Sequence, residues 1–215
     1  MAQGMTRTAW PVLAEVGTGD DGAARLARQA MFVALGIVLL TVAAKTQVPM
    51  WPSPVPITLG TFAVLAIGAA YGARLGLVTI VGYMLLGLLG ADVFAGSSAE
   101  KFGWAYMSGA TGGYLLGYVL ATALLGWLAR RGWDRNVGWM ALAMLLGNVV
   151  IYLPGVAWIH QIIAAGAFDP TKYASVWEQT LVWGLTPYLI GDAMKLALAA
   201  LLLPAVWKLV GSARA

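Results

Sequence analysis

Cysteine is absent from this chain, histidine occurs once, and charged residues make up only 10% of its 215 residues. The absence of cysteine excludes disulfide bonds, cysteine-ligated zinc, iron–sulfur clusters and thiol catalysis. The sequence contains no Gly-Lys-Ser or Gly-Lys-Thr triplet, so it has no P-loop and is not expected to hydrolyse ATP itself. It also has no run of basic residues with interleaved aromatics, which argues against nucleic acid as a partner.

Apolar residues are abundant instead, at 60% of the chain with a mean hydropathy of +0.79. A soluble domain carries about 25% charged residues. We therefore expect an all-α, polytopic membrane protein that is surrounded by membrane lipid and forms one domain. In this interpretation residues 1–24 are a flexible cytoplasmic tail, residues 25–210 form six transmembrane helices, and residues 211–215 are a cytoplasmic end. The sequence predicts no metal site and no other cofactor.

Six apolar segments account for most of the chain, and they cover residues 26–44, 57–71, 75–91, 112–129, 136–168 and 181–207. The second and third are short and are joined by a Gly-Ala-Arg turn at 72–74, so we expect them to be tilted or to lie near the bilayer edge. The first segment carries Ala30-x-x-x-Ala34 and the fourth carries Gly113-x-x-x-Gly117. Such pairs of small residues allow another helix to approach closely.

Two irregular stretches interrupt the apolar segments. Residues 46–56 contain four prolines, which excludes regular helix and predicts an extended connector that carries Trp51. Residues 92–110 are rich in Gly and Ser and contain Lys101. This second stretch ends at Thr111, a plausible N-cap, and the helix after it would direct a positive dipole end at whatever lies above.

Two charged residues, Asp192 and Lys195, lie inside the last apolar segment and share one helix face. An ionised side chain at such a position costs at least a few kcal/mol. Two interpretations remain open: a polar ligand site, or a structural ion pair that holds two helices together. An enzyme is not predicted, because the first Gly of an intramembrane serine-protease motif is missing before Ser108-Gly109 and no second Asp lies inside a segment.

The distribution of basic residues predicts the orientation. With six spans, nine Lys and Arg residues fall on the side of the N-terminus and three fall on the other side. The positive-inside rule then places both termini in the cytoplasm. Thr186-Pro187 predicts that the last helix restarts there, which puts Asp192 about 9 Å along it. The two irregular stretches and the Asp192 end of the last helix therefore converge on the extracytoplasmic face.

Four motifs, in this order, resemble those of the BioY family of biotin-transporter substrate-binding subunits: the run 54–59, the loop 93–96, the run 111–118, and Gly191-Asp192-x-x-Lys195. The resemblance covers about residues 26–208. It departs from the family pattern at Gly60, where Gln is common, and at Ala110, where Pro is common. The resemblance implies a six-helix S-component of an energy-coupling-factor vitamin transporter in the bacterial cytoplasmic membrane.

The resemblance also implies partners and a ligand. The partners are a transmembrane coupling protein, which Ala30 and Ala34 would face, and two ATPase subunits. The ligand is biotin, with an apolar bicycle, a ureido group that has two N–H donors, and a carboxylate tail. Its predicted contacts are Asp192 for the ureido N–H groups, Lys195 to balance Asp192 or to donate to an oxygen, Thr111 and Asn148 as further polar contacts, Lys101 for the carboxylate, and Tyr114, Tyr152 and Trp51 as flat surface for the bicycle.

The functional expectation is high-affinity biotin binding and uptake, either as the subunit of such a transporter or as a solitary transporter. One alternative is a subunit of the same architecture for another vitamin or small anion. A second alternative, from another class, is a structural or assembly protein of the membrane whose ion pair holds no ligand.

Overall fold

A computed structural model describes residues 10–16, 22–49, 51, 53–98 and 100–212, and most of them are helical. Five helical stretches are long and apolar enough to cross a membrane, so the chain is a multi-pass membrane protein. The helices are α1 (Gly22–Lys45), α2 (Gly60–Leu88), α3 (Gly103–Met107), α4 (Gly112–Ala129), α5 (Val137–Ile162), α6 (Val176–Gly184) and α7 (Leu189–Ser212). Two strands, β1 (Gln47–Val48) and β2 (Ile57–Thr58), form an antiparallel pair between α1 and α2.

The helix α2 is broken at Gly72 and folds back on itself. Gly72 has φ 75° and ψ 171°, a conformation that only glycine adopts readily. A methyl group added at Gly76 would lie 3.6 Å from the Cα of Gly68, although eight residues of straight helix would separate the two by about 12 Å. The arms 60–71 and 73–88 therefore pack against each other as a hairpin. The five stretches thus contain the six predicted segments, because the second and third segments are the two arms of α2. The turn between them lies at Gly72, within the predicted 72–74 turn.

Helix α4 lies at the centre of the bundle, with α2 on one side and α5 on the other. Its Gly113 and Gly117 allow the close approach that their spacing predicts. A Cβ atom at Gly113 would lie 2.3 Å from the carbonyl oxygen of Pro154, and one at Gly117 would lie 2.7 Å from the Cα of Ile151. Because α4 and α5 touch through their backbones, the side chains that flank this contact are held in fixed positions.

Several predicted boundaries differ from the observed ones. The fourth segment matches α4 at both ends, but Ile57 and Thr58 belong to β2 because they pair with β1, and the third segment ends at Leu88. The 92–110 stretch contains the short helix α3. Helix α5 continues through Pro154 and passes into a π-helical turn, Ile163–Ala167.

The last apolar segment is two helices joined by a 3-10 turn, Thr186–Tyr188. The 3-10 turn begins at Thr186-Pro187, where the sequence predicts the restart, but its N-cap residue is Leu185 and the Thr186 hydroxyl donates to the carbonyl oxygen of Leu181 (3.2 Å). Helix α7 begins at Leu189, which places Asp192 in its first turn. The positive end of the helix dipole favours a carboxylate at that position.

Part of the predicted flexible tail is packed against the bundle. Within the described range 10–16, a 3-10 turn covers Leu13–Glu15 and Val12 is fully buried next to Gly72. Glu15 forms an ion pair with Arg130. An apolar residue and a carboxylate thus tie this segment to the turn of α2 and to the end of α4. The rest of the predicted tail up to residue 21, and residues 213–215, lie outside the described range, and α1 begins at Gly22.

Candidate functional site

The cavity that holds the charged pair, called the main cavity, lies between α1, α2, α4, α5 and α7, against the 55–58 and 94–95 segments. Its lining includes one charged pair and many aromatic side chains. The residues that line it are Leu40, Ala44, Val55, Pro56, Thr58, Gly60, Thr61, Tyr83, Phe94, Ala95, Tyr106, Thr111, Tyr114, Leu115, Tyr118, Ile151, Tyr152, Tyr188, Asp192 and Lys195. The two charges stand at one side, and the wall formed by α1 and the 94–95 loop is apolar.

Asp192 and Lys195 form an ion pair in this cavity, with 2.9 Å between Nζ and Oδ1. Their side chains are only 7% and 12% exposed, so water screens the pair weakly. Thr61, in the first turn of α2, donates to Asp192 Oδ1 (3.3 Å) and accepts from Lys195 Nζ (3.2 Å). The hydroxyl of Tyr152 donates to Asp192 Oδ2. Three helices, α2, α5 and α7, therefore meet at one carboxylate.

This network leaves hydrogen-bonding capacity on both charges. A carboxylate has about four lone-pair sites, and the carboxylate of Asp192 accepts from three protein groups. A lysine ammonium has three N–H donors, and that of Lys195 uses two. One acceptor site on the carboxylate and one donor on the ammonium thus remain without a partner among the described residues. They complement a neutral group that presents an N–H next to a carbonyl oxygen.

Six tyrosines line the cavity and give it flat, partly polar walls. The Tyr114 hydroxyl donates to the carbonyl oxygen of Gly184 (2.6 Å), which ties α4 to the end of α6. Tyr114 and Tyr152 meet edge to face, with ring centroids 6.2 Å apart and an interplanar angle of 86°. Such walls suit the apolar body of a small ligand, because an aromatic ring offers a large rigid contact area.

The proline-rich segment covers the cavity and is fastened to the α6–α7 junction. The hydroxyls of Ser53 and Tyr188 lie 2.7 Å apart, and both contact the carbonyl oxygens of Val55 and Trp183. Two donors and two acceptors are thereby satisfied in one compact group. The prolines stiffen the segment, and this group fixes its position above the cavity.

The 92–98 loop covers the cavity from the side of α1. Phe94 stacks on Tyr106, with ring centroids 4.9 Å apart and planes 11° apart, and the Tyr83 hydroxyl donates to the carbonyl oxygen of Val93 (3.0 Å). On the outside of the loop, Lys45 at the end of α1 pairs with Asp92. Hydrogen bonds from Lys45 and Ser97 hold the pKa of the Asp92 carboxyl below its ordinary value. The loop is therefore anchored from within by aromatic packing and from outside by an ion pair.

The structure brings together five of the eight ligand contacts predicted from the sequence, which are Asp192, Lys195, Tyr114, Thr111 and Tyr152. Thr111 precedes α4 as predicted, but its side chain makes no capping hydrogen bond to the described residues.

The other three predicted contacts lie elsewhere. Trp51 is 84% exposed on the connector, and Lys101 is exposed on its loop. Asn148 lines a second cavity, the lateral groove, which lies between α5 and α7 with Trp177 on α6 and Leu185, just after α6, at its edge. The Oδ1 atom of Asn148 is buried without a hydrogen-bond partner among the described residues.

Sequence reasoning missed Thr61 and four of the six tyrosines, Tyr83, Tyr106, Tyr118 and Tyr188, as parts of the cavity lining. A helical-face argument could have found Tyr118, because it follows Tyr114 by four residues. The sequence carries no comparable signal for Thr61, whose partners lie more than 130 positions away.

The comparisons with known proteins agree with one another. A family model described as "BioY family" matches residues 11–212. The "Probable biotin transporter BioY" of Pyrococcus horikoshii is 33% identical over 82% of this chain and 94% of its own. The "Biotin transporter BioY" of Thermotoga maritima is 30% identical over 81% of this chain and 93% of its own.

A solved structure shares the fold. It is the crystal structure of an S-component for biotin from an ECF-type ABC transporter, which superposes with a TM-score of 0.69 at 18% identity over 88% of this chain and 95% of that one. The six-segment architecture is therefore that of an S-component. Since the family model spans nearly the whole described range, the chain belongs to the BioY family.

Proposed function

We propose that this protein binds biotin and carries out its uptake, without catalysis. The observation that carries the proposal is the buried Asp192–Lys195 pair, which keeps one acceptor site and one donor without a partner among the described residues. The ureido group of biotin presents an N–H beside a carbonyl oxygen, so it matches both. The aromatic walls receive the apolar bicycle. The two relatives are named as biotin transporters and the structural neighbour is an S-component for biotin, which supports the same ligand.

We further propose that the chain acts in the cytoplasmic membrane of a bacterium, with both termini in the cytoplasm and the cavity opening outwards. The excess of basic residues on the side of the termini supports this orientation. The partners proposed are a transmembrane coupling protein and two ATPase subunits, unless the chain works as a solitary transporter. Ala30 and Ala34 support a partner interface because both are exposed on α1.

Asp192→Asn tests the proposed function. The change keeps the size of the side chain but removes its charge and replaces one acceptor by a donor. A hydrogen bond to a charged group contributes about 1.5–3 kcal/mol, so we expect biotin affinity to fall roughly ten- to a hundredfold. The measurement is titration calorimetry on the purified protein. Lipoate, which has a similar carboxylate tail but no ureido group, should bind the parent weakly and respond little to the change.

A double variant separates loss of contact from loss of folding. Asp192→Asn leaves Lys195 buried without its partner, which by itself destabilises the protein. Adding Lys195→Met removes the unpaired charge and should restore thermal stability without restoring binding. A stable double variant that binds biotin like the parent would overturn the proposal and would favour a purely structural ion pair.

A further inference from the structure

The main cavity and the lateral groove meet at two side chains, those of Tyr152 and Asp192. The groove is lined by apolar residues such as Leu145, Val149 and Leu153 on α5, and these three are exposed on the outer surface of the bundle. Because α5 spans the membrane, that surface faces lipid. Tyr152 and Asp192 line both the groove and the main cavity. Asp192 is a short side chain, so the ring of Tyr152 makes up most of the shared wall.

Tyr152 is held in this position from two sides. Its hydroxyl donates to Asp192 Oδ2, and its ring meets the ring of Tyr114 edge to face. A side chain with one polar and one aromatic anchor keeps a single rotamer, so the wall is rigid. Any ligand group that reaches past Asp192 meets this ring before it can enter the groove.

We propose that Tyr152 determines specificity by closing the main cavity towards the lateral groove. The inference rests on the proposed function, in which the ureido group lies against Asp192. A ligand with an apolar substituent on a ureido nitrogen would have to place that substituent where the ring of Tyr152 lies. The parent protein therefore excludes such ligands, although the space behind the ring is apolar and would accept the substituent.

The test compares biotin with the two analogues that carry a benzyl group on one or the other ureido nitrogen. Each analogue keeps one N–H for Asp192. The parent should bind both at least a hundredfold more weakly than biotin. Tyr152→Ala joins the two cavities. For one analogue, the ratio of biotin affinity to analogue affinity should therefore be at least tenfold smaller than in the parent. Tyr152→Phe lacks the hydroxyl but keeps the ring, so it should discriminate like the parent, whatever it loses in affinity for biotin.

A second substitution identifies the space that the benzyl group occupies. Val149 lies three residues before Tyr152 and lines the groove but not the main cavity. Adding Val149→Phe to Tyr152→Ala should refill the groove and restore exclusion of the analogue. If the double variant still accepts the analogue, the groove is not the space that was opened and the proposal fails. Tyr152→Leu replaces Tyr152→Ala if the alanine variant does not fold.

The outcomes separate this inference from the proposed function. A parent that does not bind biotin overturns both. Suppose that the parent binds biotin, but that Tyr152→Ala and Tyr152→Leu exclude the benzyl analogues as strongly as the parent does. The proposed function then stands and the role of Tyr152 is overturned. Loss of discrimination in Tyr152→Phe would show that the hydroxyl, and not the ring, excludes the substituted ligand.

Discussion

Thr61 shows how a single hydroxyl can arrange two charges. It donates to Asp192 and accepts from Lys195, and therefore fixes the position of both groups relative to α2. The charges themselves could be predicted as site residues, since an Asp and a Lys inside an apolar run are conspicuous. The threonine could not, because threonine is common near helix starts and only the packing of α2 against α7 gives it this role.

Replacing Thr61 tests its contribution. Thr61→Val keeps the shape of the side chain but removes the hydroxyl, and each charge loses one partner. We expect biotin affinity to fall by about 1–3 kcal/mol, the usual cost of leaving buried polar groups unsatisfied. Thr61→Ser keeps the hydroxyl and should bind nearly as the parent does in titration calorimetry. A Val variant that binds biotin as tightly as the parent would show that the hydroxyl does not contribute.

The three residues that sequence reasoning misplaced have different physical explanations. Asn148 lies one helical turn before Tyr152 on α5, which is about 6 Å closer to the start of that helix. At that level α5 borders the lateral groove and not the main cavity. Trp51 and Lys101 belong to irregular segments. Residue type and spacing predict that such segments are irregular, but the direction of each side chain depends on long-range contacts such as that between Ser53 and Tyr188.

At the scale of elements, the long helices were predictable and their ends were less so. The bounds of α4 follow from glycines at its start and basic residues after its end. The start of α2 depends instead on pairing between β1 and β2, which are separated by eight residues and carry no alternating pattern. Packing of the 10–16 segment was also missed, because an apolar patch as short as Trp10 to Leu13 gives no periodic signal.

The turn within α2 gives a prediction about stability. Gly72→Ala places a Cβ atom on a backbone with φ 75° and ψ 171°, and the added atom would lie 3.3 Å from a methyl group of Val12. Non-glycine residues in such regions cost about 1–3 kcal/mol, so thermal unfolding of the purified protein should occur at a lower temperature. Gly22→Ala is the control, since a Cβ atom there meets nothing within 4 Å. Equal melting of both variants would show that the turn adapts at no cost.

The exposed face of α1 gives a prediction about partners. If a coupling protein packs on Ala30 and Ala34, changing both to Leu should reduce biotin uptake by cells several-fold, because the larger side chains keep the helices apart. Biotin binding to the purified subunit should stay as in the parent. Ala197→Leu, at an exposed position on α7, is the matched control and should leave uptake intact. If the variant with both leucines no longer binds biotin, this face of α1 packs inside the subunit. If its biotin uptake is normal, the face has no role as a partner interface.

At the scale of the whole molecule, the cytoplasmic end of the proposed topology is closed by many small contacts. Trp10 donates its backbone N–H to the carbonyl oxygen of Arg130 (2.9 Å), and the Arg135 guanidinium lies over the rings of Trp10 and Trp207. Asp134 accepts from the Trp207 indole, and burial raises the pKa of its carboxyl. Basic and aromatic residues of this kind are typical of a membrane–water interface on the cytoplasmic side.

The proposed topology can be measured with reporter fusions. A reporter that is active only in the cytoplasm should be active when fused after Ala215 and inactive when inserted at Thr171. One predicted span, residues 181–207, separates the two positions, so they lie on opposite sides of the membrane. A reporter active only outside the cytoplasm should give the reverse pattern. Activity of the second reporter at the C-terminus would invert the orientation and make the cavity open inwards.

The ion pair between Asp192 and Lys195 also has an electrical consequence. A lone elementary charge that crosses a membrane potential of 100 mV does about 2.3 kcal/mol of work. The charges of the pair sum to zero, and they are separated by only 2.9 Å. Any tilting of α7 across the bilayer therefore does almost no work against the field through these residues. Within the cavity, the membrane voltage then acts on the charge of a bound ligand and not on the pair, so transport of a neutral biotin amide should depend less on voltage than transport of biotin itself.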